Sequence, residues 1–293
     1  AVLRLGNNLA LTAANDLTMN FNSVLQAGGR TVTLGALRTL GGNGAFDGDA
    51  GTMSASTNGS TEIIENAALT PGSLRFTQST PATFEADWDA KFRNGVVNSQ
   101  FFAVGTNVQL PAAALSIVKA GNGWSTLTLD NDYTGTTTVA QGILQVGRDG
   151  TGDTGAVNAA GTIVMNGATV AGTGWVQGGL TIQSGALASP GDAAGNAIGT
   201  LNVSGTALFA AGSSALLQVK SPTYNNPTVA DIGDPLYETW RSTLGTDSFS
   251  NALNDLVTTA QHDMINVTGV SGAGTLNIAF GTQVTLQSDG YTP

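Results

Sequence analysis

Cysteine is absent from this chain of 293 residues. That excludes a disulfide framework, a thiolate nucleophile and any cysteine-based zinc site. Histidine occurs once, as His262, and charged residues make up only 10% of the sequence. The ten basic residues are scattered and never cluster, against twenty acidic ones, for a net charge of −10. Binding to nucleic acid or anionic lipid needs a basic stripe, so neither is an expected partner. No apolar run approaches the ~20 residues of a membrane-spanning helix. The alternating strands and aromatic girdles of an outer-membrane barrel are missing too. The chain opens Ala1-Val2, with no Met and no signal peptide, as a processed or excised piece would.

Forty glycines are present, with abundant Thr, Ser, Asn and Ala, and 41% of residues are apolar. Disorder needs low hydrophobicity as well as low complexity, so the composition reads as a folded β protein. Thr and the β-branched aliphatics suit a pleated surface, and Gly and Asn suit the corners between strands. From about 121 to 219 a phrase recurs: a short β run, a turn with Gly, Asn or Asp, and another β run. Leu127-Thr128-Leu129, Ile143-Leu144-Gln145-Val146, Ile163-Val164-Met165, Leu180-Thr181-Ile182 and Leu201-Asn202-Val203 open successive copies, with starts 16, 20, 17 and 21 residues apart. This interval suits the coils of a stacked β-solenoid and is too short for a helix-pair repeat.

The chain reads as a single β unit, 1–293, in four stretches. Residues 1–120 are irregular coils, with strands expected at Leu9-Ala10-Leu11, Leu17-Thr18-Met19, Val32-Thr33-Leu34 and Leu74-Arg75-Phe76. Residues 121–220 are the regular coils. Residues 221–262 break the pattern with Pro222, Pro227 and Pro235, and Phe249, Ala252, Leu253, Leu256, Val257 and Ala260 recur at helical spacing. A loop with one or two short helices, inserted between coils, is expected there. Strands resume in 263–293, at Met264–Val267, Thr275–Ile278 and Val284–Leu286.

The stretch from Gly123 to Val139 resembles the passenger-associated transport repeat of bacterial autotransporters. The likeness rests on Gly123, Leu127, Leu129, Asn131, Tyr133, Gly135, Thr137 and Val139, followed by Gly142-Ile143-Leu144. Asp132 departs from it, since Thr is commoner before the Tyr. Gly174-Trp175-Val176, Ser189-Pro190-Gly191, Gly199–Gly205 and Asp263–Gly269 are similar to the C-terminal end of a passenger. The resemblance covers about 121–221 and 262–293, and loosely 70–90, and implies a right-handed parallel β-helix. It also implies an extracellular place, anchored at the outer membrane or secreted, with the membrane reached only through a translocator barrel that this chain does not contain. Folding that starts from the C-terminal coils is implied as well.

Individual residues carry expectations of their own. Leu127 and Leu129 should share the inward face. Asn131 should turn a corner in the left-handed region and stack into an Asn ladder. Trp124 and Tyr133 should buttress the coil by packing, and Thr136–Thr138 should line an outward ladder. His262, beside Asp263 at the end of the helical insertion, suits a helix C-terminus, and no G-x-S-x-G supports a hydrolytic triad. Gly41-Gly42-Asn43-Gly44-Ala45-Phe46-Asp47 approaches a calcium nonapeptide but places its Asp one residue late. Asp149 and Asp153 in a Gly-rich turn suit a weak calcium site or, as the plainer reading, solvated turn carboxylates. Glu85, Asp87 and Asp89 alternate around Trp88, in the manner of a sugar platform or of an acidic edge strand.

These readings converge on a non-enzymatic surface stalk or adhesin, without cofactor or metal. Its partner would be a host-cell or neighbouring-cell surface ligand, or a second copy of itself. About twelve coils at ~4.8 Å would give a rod of roughly 60 Å. Tyr237, Trp240 and Phe249 in the insertion are the candidate recognition anchors. Rival readings are a secreted hydrolase or polysaccharide-active enzyme on the same scaffold, and a structural sheath or filament subunit.

Overall fold

The computed structural model describes residues 1–19, 23–39, 62–77, 85–99, 108–148, 152–191, 198–220, 261–262, 264–269, 272–273, 275–278 and 282–289. Among these residues every regular element is a strand and none is a helix. Short β-branched runs bounded by glycine can extend but cannot sustain a helix. Positive-φ glycines such as Gly142 and Gly172 then end or open the strands.

Two eight-stranded sheets and a third, interrupted face account for most of the strands. The first sheet orders Thr31–Leu34, Gly72–Thr77, Leu115–Ala120, Thr137–Val139, Thr162–Val164, Leu180–Ile182, Thr206–Phe209 and Thr275–Ile278, all in parallel. The second contains Glu85–Trp88, Trp124–Leu127, Gly142–Val146, Ala168–Gly172, Leu187–Pro190, Ser214–Lys220 and Gln283–Asp289, also in parallel. The chain visits the first sheet, then the second, then the third face, and returns to the first one place further along. Each such circuit is one layer of a stack.

Register sets the layer length. Along the first sheet Ile117, Thr137, Thr162, Leu180 and Ala207 are successive partners, 20, 25, 18 and 27 residues apart. The phrase seen in sequence has a shorter period, so it drifts across the faces. Leu127 and Ile143 lie in the second sheet, Ile163 and Leu180 in the first, and Leu201 on the third face. Among the described residues the longest sheet stacks eight strands. Eight strands of one sheet at ~4.8 Å span about 34 Å. Leu9–Leu11, expected as a strand, is turn and bend, whereas the other expected strands of 1–120 are present.

Alternation along each strand sends one row inward. Leu74, Ile117, Leu180 and Ala207 are buried in such a row, and Phe76, Val139, Val164, Ile182 and Phe209 in the next. Burying each large aliphatic or aromatic side chain is worth about 1.5–3 kcal/mol, and repetition along the axis makes one continuous core. Phe76, Trp88, Phe92 and Tyr133 pack ring against ring within it, with neighbouring ring centroids 5.2–6.4 Å apart. The segment 221–260, where the helices were expected, lies outside the described residues. Across it, Thr200–Ser204 pairs directly with Met264–Gly269.

Candidate functional site

The third face carries strands Val2–Arg4, Val24–Gln26, Glu62–Glu65 and Ala90–Arg93 in one ladder, and Trp175–Val176, Thr200–Ser204 and Met264–Gly269 in another. Between them the ladder narrows to single bridges, Arg93 to Asp132 and Asp153 to Trp175. Side chains take over where main-chain pairing lapses.

Asn131 makes the principal link. Its Oδ1 accepts the Phe92 N–H at 2.8 Å, and its Nδ2 donates to the carbonyls of Leu129 at 2.8 Å and Asp153 at 2.7 Å. Its own N–H donates to the Asp153 carboxylate, which also accepts from the Gly155 N–H. Three consecutive layers are thus tied through one amide and one carboxylate. Asn131 does reach its local backbone, but it is not left-handed: among described non-glycine residues only Ala67 has a positive φ. Burial pushes the Asp153 carboxyl up to about 6, and the nearby Asp130 charge adds to this. The N–H groups of Asn131 and Gly155 and the Gln177 side chain pull it back.

The same device recurs nearby. Asn66 accepts from Gly29 N–H and donates to Thr70 and Ala113 carbonyls at 2.8–2.9 Å. Asn94 Oδ1 accepts the N–H groups of Leu115 and Thr134. Asn-on-Asn stacking is seen at Asn266, which donates to Asn202 at 2.9 Å. Asn66 and Asn131 bond to main chain instead, and Asn94 to main chain and to the Thr134 hydroxyl, because an unpaired buried amide of the backbone costs more than a lost side-chain pair.

The remaining motif residues fall mostly in the core. Leu127, Tyr133, Thr137 and Val139 are buried, and Leu129, just past its strand, is half-buried rather than inward beside Leu127. Tyr133 Oη and Thr137 Oγ1 share a hydrogen bond of 2.6 Å, and burial pushes the phenol well above its ordinary range. Thr137 therefore points inward, between the half-buried Thr136 and Thr138, so the three do not form one outward ladder. Gly123 O accepts the Ile143 N–H, and a Cβ at Gly135 would meet the Leu115 carbonyl oxygen. Trp124 is buried as expected of a packing residue.

Lys119 is the residue that sequence reading missed. It sits in an inward row between Phe76 and Val139 and is fully buried. Its Nζ donates to Gly121 O and Gln141 O, each at 2.8 Å, joining the corner of one layer to the next. Burial pushes its pKa down to about 7. Strict alternation from Leu115 and Ile117 was the available signal.

Other expectations resolve variously. Asp89 lies beyond the strand Glu85–Trp88, is buried, and accepts from the Thr128 hydroxyl. It is therefore not an exposed member of an acidic platform. Glu62 is buried too, and its pKa is raised by burial and then by the charge of Asp89, against a backbone hydrogen bond. His262 lies in the strand Gln261–His262, antiparallel to Val219–Lys220, and the segment before it, where the helical insertion was expected, lies outside the described residues. Tyr237, Trp240, Phe249, Asp149, Asp263 and 41–47 lie outside the described residues. No group of three or more His, Asp or Glu able to hold a metal occurs among the described residues.

The layers built around Lys119, Asn131 and Tyr133 define a parallel, all-β stack tied by side chains at its corners. Residues 117–146, which span those layers, match the passenger-associated-transport-repeat family. The match supports an autotransporter passenger domain. No curated protein and no solved structure matches the chain.

Proposed function

We propose that the chain is a right-handed parallel β-helix serving as a non-enzymatic stalk or adhesin of an autotransporter passenger, at the bacterial surface or secreted. The observation that carries this reading is the three-face circuit repeated through residues 117–146, where the family match falls. The chemistry of the buried polar groups supports it. Asn66, Asn131, Asp153 and Lys119 use their donors and acceptors on main chain of neighbouring layers, which stiffens a rod. The length of a rod sets how far from the membrane its ends are held. Recognition belongs to loops on such a scaffold, and Tyr237, Trp240 and Phe249 in 221–262 are the anchors proposed for it.

The test is display of the chain ahead of an outer-membrane barrel on otherwise non-adherent bacteria. Cells should gain binding to a host-cell layer or to neighbouring cells. Deleting 223–260 should leave the β circular-dichroism signal and surface exposure intact and abolish the binding. Adhesion unchanged by the deletion would remove the insertion from the account, and displayed cells that never adhere would refute the adhesin role.

A further inference from the structure

We propose that Asn122 is a site of spontaneous covalent modification, where the folded chain converts the side-chain amide to aspartate and isoaspartate without an enzyme. The sequence holds five Asn-Gly dipeptides, and three of them, Asn94-Gly95, Asn122-Gly123 and Asn166-Gly167, lie among the described residues. An asparagine followed by glycine is open to attack on its own carboxamide by the next main-chain nitrogen, because no Cβ on the glycine hinders the approach. Sequence makes the three sites equal; the fold does not.

Two of them are held back. Asn94 Oδ1 accepts the N–H groups of Leu115 and Thr134 at 3.0 and 3.1 Å, and its Nδ2 donates to Thr134 Oγ1 at 2.9 Å. Its half-buried carboxamide cannot turn toward Gly95 without breaking these bonds. Asn166 is exposed, but the nitrogen that would attack it is committed, because Gly167 N–H donates to Gly185 O of the next layer at 3.0 Å. The Asn166 carboxamide also leans on that layer, its Oδ1 2.4 Å from where a Cβ on Gly185 would stand. Asn122 carries neither restraint. It is exposed, and among the described residues neither its carboxamide nor the Gly123 N–H has a hydrogen-bond partner. Gly123 is buried, and only its carbonyl is engaged, by the Ile143 N–H at 3.2 Å.

Water is the only co-reactant needed. The Gly123 nitrogen bonds to Cγ of Asn122, and the Cγ–Nδ2 bond breaks. The Gly123 proton passes through water to the departing nitrogen, which leaves as ammonia, and a succinimide ring is closed. Water then opens the ring at Cγ, giving aspartate, or at the main-chain carbonyl carbon of Asn122, giving isoaspartate. Nothing is oxidised or reduced, and each product adds a negative charge. Isoaspartate also lengthens the main chain by a carbon, at a corner without slack. Gly121 O accepts from Lys119 Nζ at 2.8 Å on one side of Asn122, and Gly123 O accepts from Ile143 on the other. A Cβ on Gly142 of the adjoining corner would stand 2.3–2.7 Å from Gly123 O, Gly121 O and Lys119 Nζ. Lengthening the chain between Gly121 and Gly123 therefore pulls Lys119 from one of its acceptors.

Peptide mapping of the purified chain, aged in its folded state at neutral pH and physiological temperature, tests this. Trypsin puts the three dipeptides on separate peptides, Asn94–Lys119, Ala120–Arg148 and Asp149–Lys220. Mass spectrometry with electron-transfer fragmentation then reads deamidation at each and tells isoaspartate from aspartate. Asn122 should react roughly tenfold or more faster than Asn94 and Asn166, whose reaction waits on hydrogen bonds that must first open. In concentrated urea the three rates should converge. The aged chain should also unfold at a lower urea midpoint than the fresh one, whereas Asn122→Gln, which cannot form the five-membered ring, should keep its midpoint on ageing. Loss led by Asn94 or Asn166, equal rates at all three sites in the folded chain, or an order that persists in urea would each overturn the proposal. A midpoint unchanged by isoaspartate would show that the Lys119 corner absorbs the added carbon, overturning that part of it.

Discussion

Lys119 makes the stack's stability depend on alkaline pH in a direction that can be worked out. In the unfolded chain its ammonium titrates near the ordinary lysine value, ~10.4; in the folded protein burial lowers this to about 7. Below pH 7 both states hold the proton and stability does not change through this group. Between pH 7 and ~10.4 the unfolded chain binds one more proton than the folded one, so stability rises with pH, by at most about 1.4 kcal/mol per unit. The carbonyls of Gly121 and Gln141 favour the charged form, so a rise on the order of 1–2 kcal/mol from pH 7 to 9 is expected. Lys119→Met keeps an unbranched chain among Phe76 and Val139 but removes both the proton and the donors. It should flatten that slope and leave two carbonyls unpaired, a cost of about 1–3 kcal/mol at pH 9. Urea midpoints of both proteins at pH 7, 8 and 9, with the β signal as readout, give the comparison. An equal slope in Lys119→Met would refute the reasoning, as would a flat wild-type profile.

Three further outcomes follow from the corners. Asn131→Ala removes the acceptor for Phe92 N–H and two carbonyl partners, and should lower stability by about 2–4 kcal/mol in urea unfolding. Asn131→Asp should recover only part of this, because it restores the acceptor and not the donors. Gly172→Ala would push a Cβ to 2.1 Å from Val146 O at a φ of +115° and should lower the thermal midpoint sharply. Gly167→Ala, at a φ of +75° with nothing within 4 Å, should cost only about 1 kcal/mol. The Asp153 carboxyl, raised to about 6, holds its proton more tightly folded than unfolded. It should therefore add stability, by about 1 kcal/mol, as pH falls from 7 to 4.5, and Asp153→Asn should lose that dependence in urea midpoints at the two pH values.

Leu180-Thr181-Ile182 and Thr275–Ile278 were legible as strands because alternation and glycine punctuation are local signals, and both match their observed bounds. Layer length was not legible. Layers of 18 to 27 residues share the same short phrases at different corners, so a phrase count follows strands rather than circuits. The third face was hardest to read. Its strand Trp175–Val176 is two residues long, and at Asn131 and Asp153 side chains replace the ladder. Asn131 and Tyr133 were recognisable as motif residues, yet their partners, Phe92 and Thr137, follow from register and packing. Lys119 reads in sequence as one more scattered charge, and only its parity with Leu115 and Ile117 places it in the core.

The register of the stack is tested most directly where paired residues are remote in sequence. Ser73 and Ser116 are half-buried outward partners in adjacent layers, with Cα atoms expected ~4.8 Å apart, inside the range a disulfide tolerates. Thiol counting by mass spectrometry on the oxidised monomer of Ser73→Cys/Ser116→Cys is the measurement. No free thiol is expected there, and two free thiols are expected in Ser73→Cys/Thr138→Cys, whose positions lie two layers apart. Free thiols in the first variant, or an intramolecular bridge in the second, would contradict that register.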